Sequence, residues 1–423
     1  MSPRGLLLES FQAALAAADP LQLVPRHLPE PPKGRTLVVG AGKAAAAMAL
    51  AVEQHWPADA PLDGLVITRY QHGLLTNRLT VVEAAHPVPD ESGEQAAQEI
   101  LRRVKALTRE DLLLVLVSGG GSSLLTLSAR GIGMTELKAT TRELLRSGAP
   151  IQAINTVRKH LSAIQGGWLA AACRAPVLAL MISDVTGDDP THIASGPCAP
   201  DPTTFDDALE VLSRYEVQAP TSVLEHLRRG ARGEEAETPK PGDKLFARVE
   251  NRIIATAQGS LGAAAEFFSA HGIAPAILGD AVTGEAREVA KVYSALAREV
   301  REHGLPWQPP VALISGGECT VTVRGAGRGG RCAEFLLALG IELDGLAGVH
   351  ALACDTDGID GSEDNAGAIL TPDTLKRAAG KKLHAERLLG DNDAYSFFAA
   401  LDQLVVTGPT RTNVNDYRVI LVQ

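Results

Sequence analysis

Aromatic residues are scarce in this chain. Phe, Trp and Tyr together make up 4% of its 423 residues, so the core must be built from aliphatic side chains and alanine. Cysteine is sparse too. The five cysteines, at 173, 198, 319, 332 and 354, are odd in number and never at CxxC spacing. That excludes a disulfide scaffold or a cysteine zinc site and suits reduced thiols in a cytoplasmic protein. Positive charge is in deficit, with 40 Lys and Arg against 50 Asp and Glu, which disfavours sequence-independent nucleic-acid binding. No run of about 18 uncharged apolar residues exists, so no membrane span is expected. Residues 1–19 show a helical apolar period (Leu7, Leu8, Phe11, Ala14, Leu15) rather than the compact apolar core of a signal peptide. With 45% hydrophobic and 21% charged residues, disorder and coiled coil are also excluded.

What is present is an alternation of short apolar runs and longer alanine-rich helical stretches. Strands are expected at Thr36–Val39, Gly64–Thr68, Leu79–Glu83, Leu112–Val117, Val177–Ile182, Ile253–Ala255, Ala276–Leu278, Val311–Ile314, Val349–Ala353 and Val419–Val422. Helices are expected between them, among them Ala44–His55, Glu91–Ala106, Asn155–Cys173, Gly284–His303 and Ala333–Leu343. Several of these strands are apolar on both faces, as in sheets covered by helices on each side. The fold class is α/β: two α/β/α domains with mostly parallel sheets and an active-site cleft between them. The charged, Gly- and Pro-rich stretch from Leu227 to Lys244 reads as a solvated linker. It puts the domains at 1–235 and 236–423.

Chemistry-bearing residues gather after strands. Gly40-Ala41-Gly42-Lys43 follows the first strand and opens a helix. Gly40-x-Gly42-x-x-Ala45 matches the dinucleotide fingerprint formally, but the next strand ends in Arg69-Tyr70 where that fold needs an acid for the ribose. A Walker loop fails as well, because Leu37 stands for its first glycine and Ala44 for its Ser or Thr. What remains is Lys43 displayed in a glycine turn. Ser118-Gly119-Gly120-Gly121-Ser122-Ser123 follows another strand and suits an anion. Asn155, Arg158 and Lys159 suit an acidic ligand. The loop with Asp184, Asp188 and Asp189 offers oxygen ligands of the kind Mg²⁺ takes, as does the one with Asp355 and Asp357. Glu318 and the loop bearing Arg324, Arg328 and Arg331 add arginines, whose fixed fork suits phosphate. Cations, glycine turns and clustered acids together form the inventory of phosphoryl transfer.

The motifs VVGAGKAA, HPVPDESG, VSGGGSSLL, INTVRKHLSAIQGG, SDVTGDDPTHIASGP, ISGGECTVTVRGAGRGGR, DTDGIDG and TGPTRTNVND resemble the glycerate 2-kinase family, with a DUF4147-like N-terminal domain and a C-terminal MOFRL domain. Its members are also labelled hydroxypyruvate reductases. The resemblance covers nearly the whole chain in order. It implies Mg²⁺-assisted transfer of phosphate from ATP to D-glycerate, giving 2-phosphoglycerate. Lys43 and Arg331 fall on the family's proposed catalytic lysine and arginine. The assignment that follows makes Lys43, Arg331 and Asp184 catalytic. Ser118, Gly119, Gly120, Gly121, Ser122, Ser123, Asn155, Arg158, Lys159, Glu318 and Arg328 bind substrate or phosphate. Asp188, Asp189, Asp355 and Asp357 hold metal. The expected partners are glycerate and nucleotide, with no nucleic acid and no membrane, and with room for a homodimer. An NAD(P)H-dependent hydroxypyruvate reductase is the alternative. Two departures from the family pattern stand out: Cys332-Ala333 where Asn-Gln is usual, and Gln165 where Lys is common.

Overall fold

The computed structural model describes residues 1–423. The chain forms two compact units, residues 20–254 and residues 1–19 with 255–423. The chain opens with helix α1 (Pro3–Ala16), which belongs to the second of these.

The first unit holds strands β1 (Thr36–Ala41), β2 (Leu62–Arg69), β3 (Leu79–Ala84), β4 (Leu112–Val117), β5 (Val177–Ile182) and β6 (Val249–Ala255). Its helices are α2 (Pro20–Leu23), α3 (Ala45–His55), α4 (Glu91–Lys105), α5 (Gly121–Leu124), α6 (Met134–Arg146), α7 (Ile151–His160), α8 (Trp168–Ala172), α9 (Phe205–Arg214) and α10 (Thr221–Ala231). The strand order is β3-β2-β1-β4-β5-β6, and the pairings from β3 through β5 are parallel. Strands β1, β4 and β5 are buried at every position, as strands covered on both faces must be. Helix α3 meets the sheet with alanines, so helix and strands approach closely without aromatics. Helix α4 is amphipathic. Asp90 accepts the Gly93 N–H at 3.0 Å, Glu91 and Glu94 occupy its first turn, and Arg102, Arg103 and Lys105 its last. Helices α6, α7, α9 and α10 form a satellite core around Leu137, Leu144, Ile154, Phe205 and Leu227.

Two expectations fail here. The helix expected over Asn155–Cys173 is broken into α7 and α8, because Gly166 and Gly167 take left-handed φ values of 58° and 87°. The expected linker is folded onto its own unit. Its first residues finish α10, the Glu237 carboxylate lies 3.0 Å from His160 Nε2, and the Thr238 hydroxyl donates to Asp201 at 3.1 Å. The charges that made it look solvated are used inside the unit. The following β6 then joins the first sheet, so the units divide at 254/255 rather than 235/236.

The second unit holds α11 (Ala257–Ala270), β7 (Ala274–Gly279), α12 (Ala286–His303), β8 (Val311–Ser315), α13 (Arg331–Leu343), β9 (Val349–Asp355), β10 (Gly367–Leu370), α14 (Thr374–Gly380), α15 (Ala385–Gly390), α16 (Ala394–Ala400), β11 (Leu404–Val405) and β12 (Asp416–Val422). The order is β11-β10-β9-β12-β8-β7. Only β7 and β8 pair in parallel; the pairings β8–β12, β12–β9, β9–β10 and β10–β11 are antiparallel. This sheet is mixed, against the mostly parallel expectation, because the chain's last strand inserts between β8 and β9. One face is covered by α1 and α11 through Leu7, Phe11, Leu261 and Phe268, the other by α12, α13 and α16 through Ala290, Phe335, Leu336 and Phe397. Phe11 stacks on Tyr417 at 5.8 Å and the Tyr417 hydroxyl donates to Ser10 at 2.9 Å. The N-terminal helix therefore belongs with the C-terminal strands, which no local pattern announces. No helix is long and apolar enough to cross a membrane.

Candidate active site

In the first unit the glycine turns after β1 and β4 are tied to each other. The Lys43 N–H donates to Gly119 O at 2.8 Å, the Ala44 N–H to Ser118 Oγ at 3.0 Å, and the Ser118 N–H to Ala41 O at 3.2 Å. Gly42 has φ 141°, and a Cβ there would lie 2.1 Å from Ser118 Oγ. Gly120, at φ 79°, is flanked by two side chains: a Cβ there would lie 2.9 Å from His86 Nε2 and 3.5 Å from Lys43 Cγ. The half-buried Lys43 and His86 thus meet over Gly120 at the C-terminal ends of parallel strands, where open α/β sheets bind ligands.

Beside this turn runs a hydroxyl and amide network. Ser195 Oγ is fully buried and lies 2.9 Å from Ser122 Oγ and 3.1 Å from Asn155 Oδ1. The Gln165 amide donates to Ser122 O at 2.7 Å and to Leu125 O at 2.8 Å. Ala194, Ser195 and Gly196 are consecutive left-handed residues, with φ of 49°, 59° and 59°. Left-handed backbone in Ala and Ser is strain of the sort that persists where surrounding structure over-determines it, commonly at functional sites. The bonds to Ser195 and those from Gly166 and Gly167 to the carbonyls of 195 and 196 do so here.

Arg158 and Lys159 are neighbours with opposite fates. Lys159 is fully buried in an ion pair with Asp201 at 3.1 Å; it is structural, and the expected substrate role fails. Arg158 lines a crevice with Ser122, Ser123, Thr126 and Gln165. It has no acid partner, and burial pushes its guanidinium down to about 10. The crevice holds about 20 Å³, room for a water. Ser118 is also corrected. Its side chain is fully buried and spent on the Ala44 N–H, so it shapes the loop rather than presenting a hydroxyl. Asp184 is half-buried just past β5. Asp189 is held below its usual range: burial opposes this, but hydrogen bonds from Thr191 prevail.

In the second unit the end of β8, the end of β9 and the start of β12 coincide, since β12 runs antiparallel to both. Arg331, first residue of α13, is caged there. Its Nε donates to Asp416 at 2.8 Å, Nη1 to Glu318 at 2.9 Å and Nη2 to Asp355 at 2.7 Å. Burial would lower its pKa, but Asp416, Asp355 and Glu318 together hold it well above the ordinary range. Arg328 pairs with Glu363 at 3.4 Å and lies over the Tyr395 ring at 4.8 Å. Asp360, fully buried, accepts the N–H groups of Cys332 and Ala333 at 3.0 and 2.8 Å. Those two side chains sit in the apolar core, so the positions that depart from the family pattern are apolar packing here. The tail loop before β12 closes on the DTDG loop: Thr410 N–H donates to Asp357 O at 3.1 Å and Val414 N–H to Thr356 Oγ1 at 2.9 Å.

The four expected metal ligands fall in two pairs. Asp188 and Asp189 belong to one unit, Asp355 and Asp357 to the other. Asp355 is occupied by Arg331 and by the Asp357 N–H, and Asp357 by the Ile359 N–H. No group of three or more His, Cys, Asp or Glu side chains could hold a metal ion. Sequence reasoning passed over His86, Ser195, Asp360 and Asp416 as site residues. His86 opens the HPVPDESG stretch, but nothing local says that it faces Gly120.

Comparison with known proteins agrees with this architecture. Residues 6–228 match the model of a domain of unknown function, DUF4147, and residues 311–416 match the MOFRL family. A protein of Agrobacterium vitis with the provisional name hydroxypyruvate reductase is 48% identical over 425 residues, covering 100% of this chain and 95% of that protein. A glycerate 2-kinase of Pyrococcus horikoshii is 39% identical over 393 residues, covering 92% of this chain and 88% of the relative. The crystal structure of a glycerate kinase from Thermotoga maritima superposes with a TM-score of 0.87 at 36% identity, covering 99% of each chain. The chain belongs to the glycerate kinase family built from a DUF4147 domain and a MOFRL domain.

Proposed function

We propose that this protein transfers the γ-phosphoryl group of ATP to the 2-hydroxyl of D-glycerate, releasing ADP and 2-phosphoglycerate. The observation that carries the reading is a pair of cations at the C-terminal edge of the first sheet. Lys43 is held over a glycine turn, and Arg158 lacks any acid of its own. A phosphoryl group in flight and a substrate carboxylate are the two anions such a site needs. Arg158, with the polar atoms of Ser122 and Gln165 nearby, takes the glycerate carboxylate. A three-carbon acid exceeds the crevice, so it docks at the mouth or after local opening. Lys43 stabilises charge on the transferring group. Asp184 accepts the hydroxyl proton. Glu318, Asp355 and Asp416 neutralise Arg331, which makes it a positioning residue that holds three strand ends together.

The chain's own carboxylates do not fit a resident Mg²⁺. The metal enters with the nucleotide as part of the substrate, in keeping with an ion that keeps its waters and is bound largely through substrate phosphates. The reductase alternative has less behind it, since β2 runs into Arg69 and Tyr70 where a dinucleotide site places its ribose-binding acid. The test is ADP release from MgATP, coupled to NADH oxidation, with and without D-glycerate. Product is read by enolase without a mutase. Glycerate-dependent ADP with enolase-competent product is expected; absence of glycerate-dependent release would overturn the reading.

A further inference from the structure

The first sheet has a second ligand-sized feature at its opposite edge. An open cavity of about 1010 Å³ is lined by Lys105, Arg109, Arg174, Lys244 and Arg248, with no acidic residue in its wall. These come from the turns that lead into β4, β5 and β6. Since β4 and β5 run parallel, the cavity lies at their N-terminal ends. The loops of Lys43 and Ser118–Ser123 lie at the C-terminal ends. Six residues of β4 at about 3.3 Å each put roughly 20 Å between the two.

The charges there are not explained by local pairing. Lys105, Arg109, Arg174 and Lys244 are exposed and none makes an ion pair. Arg248 is the exception in position: it donates to the carbonyls of Ala170, Cys173 and Leu245, capping the C-terminal end of α8 and standing fixed in the wall. Two neighbouring acids are committed elsewhere. Asp111 takes the N–H of Arg35 at 2.8 Å and the N–H and hydroxyl of Thr108 at 2.7 and 2.8 Å. Asp243 takes the Lys240 N–H at 2.8 Å. Arg102 and Arg103, on the same helix end as Lys105, are already matched by Glu99 at 2.6 and 2.7 Å. Five like charges around one concavity, in a chain of net charge −10, repel one another unless an anion joins them.

We propose that this cavity is a second anion site, separate from the catalytic loops, for a small organic polyphosphate of nucleotide size. The cations take two or more phosphate groups as charge-assisted donors. Leu107, Ala171 and Pro176 give an apolar floor on which a ring can rest, and the volume is at the upper end of small-molecule sites. A nucleoside diphosphate and inorganic pyrophosphate share this chemistry, and both serve as probes.

The experiment is isothermal titration of the full chain with pyrophosphate and, separately, with ADP. Wild type is compared with the triple variant Arg109→Ser, Arg174→Ser, Lys244→Ser. All three residues are exposed, so an unchanged thermal midpoint checks the fold. Each charged hydrogen bond corresponds to about tenfold in affinity. Wild type should therefore show a binding event, for one or both probes, that is weakened roughly a hundredfold or lost in the variant, and that weakens with added salt. Loss for ADP alone assigns a nucleotide; loss for both assigns phosphate recognition with little from the ring. Superimposable isotherms of wild type and variant for both probes would overturn the proposal, whatever the kinase assay gives.

Discussion

Two arginines, Arg158 in α7 of the first unit and Arg331 at the start of α13 in the second, are treated by the fold in opposite ways. Arg158 stands in a hydroxyl-lined crevice with no carboxylate, and its charged form is disfavoured by burial alone. Arg331 has three carboxylates on its three donor nitrogens. A buried cation without a counter-charge is costly to the folded protein, and a ligand that supplies the charge removes that cost on binding. A cation whose charge is already neutralised has little left to offer a second anion. By this comparison the first unit is prepared to receive an anion. The basic loop of the second unit, which looks phosphate-binding in sequence, is largely an internal scaffold.

The comparison breaks most visibly at Arg331. Arg331→Met leaves the buried Asp355 without its cation and Asp416 with Arg418 alone, 3.2 Å away, and should cost about 3 kcal/mol in unfolding free energy, read by urea denaturation. A variant as stable as wild type would show that the cage is not structural. Next comes Lys43→Ala, in the glycine turn of the first unit. Its kcat should fall by about 10²–10³ with the thermal midpoint unchanged, and full turnover would remove Lys43 from the chemistry. Arg158→Leu should leave stability the same or slightly higher. It should raise KM for glycerate roughly a hundredfold, with a smaller effect on kcat. Arg158→Lys should recover only part, since lysine lacks the fork. An Arg158→Leu variant whose KM for glycerate matches wild type would take Arg158 off the carboxylate.

Much of this was legible in the residues. All ten strands expected from apolar runs are present; those buried at every position, such as β1, β4 and β5, have little option but to be apolar. The glycine turns were legible too: Gly42 and Gly120 adopt φ values that only glycine takes freely, and that need is written in the residue type. What was hidden is what depends on distant partners. Arg158 and Lys159 are adjacent and alike in charge, and only the fold reveals that Asp201, 42 residues on, claims one of them. The acids after β5 and β9 resemble metal ligands by composition, yet Asp189 takes the Thr191 N–H, Asp355 takes Arg331 and the Asp357 N–H, and Asp357 takes the Ile359 N–H. The second sheet turned out mixed because β12, the last strand, enters between β8 and β9, and nothing in its own sequence states a direction.

The smallest effect concerns the acid excess around Arg331. Asp360 is fully buried beneath the first turn of α13, and its pKa is raised to about 7. Burial is the main cause; the N–H groups of Cys332 and Ala333 oppose it, Asp416 adds to it and Arg331 offsets it. A carboxyl raised in the folded state holds a proton that the unfolded chain gives up near its ordinary value of 3.8. Its contribution to stability is therefore fully present below about pH 4 and is lost as pH rises through 7. Asp360→Asn cannot titrate. It also accepts one N–H where the carboxyl group accepts two, so it should be less stable than wild type by about 1 kcal/mol in a way that pH does not change. On top of that offset, the variant should lose less stability than wild type between pH 5 and pH 8, measured by urea unfolding at each. If the two proteins change in parallel, the raised acid at the start of α13 is not titrating.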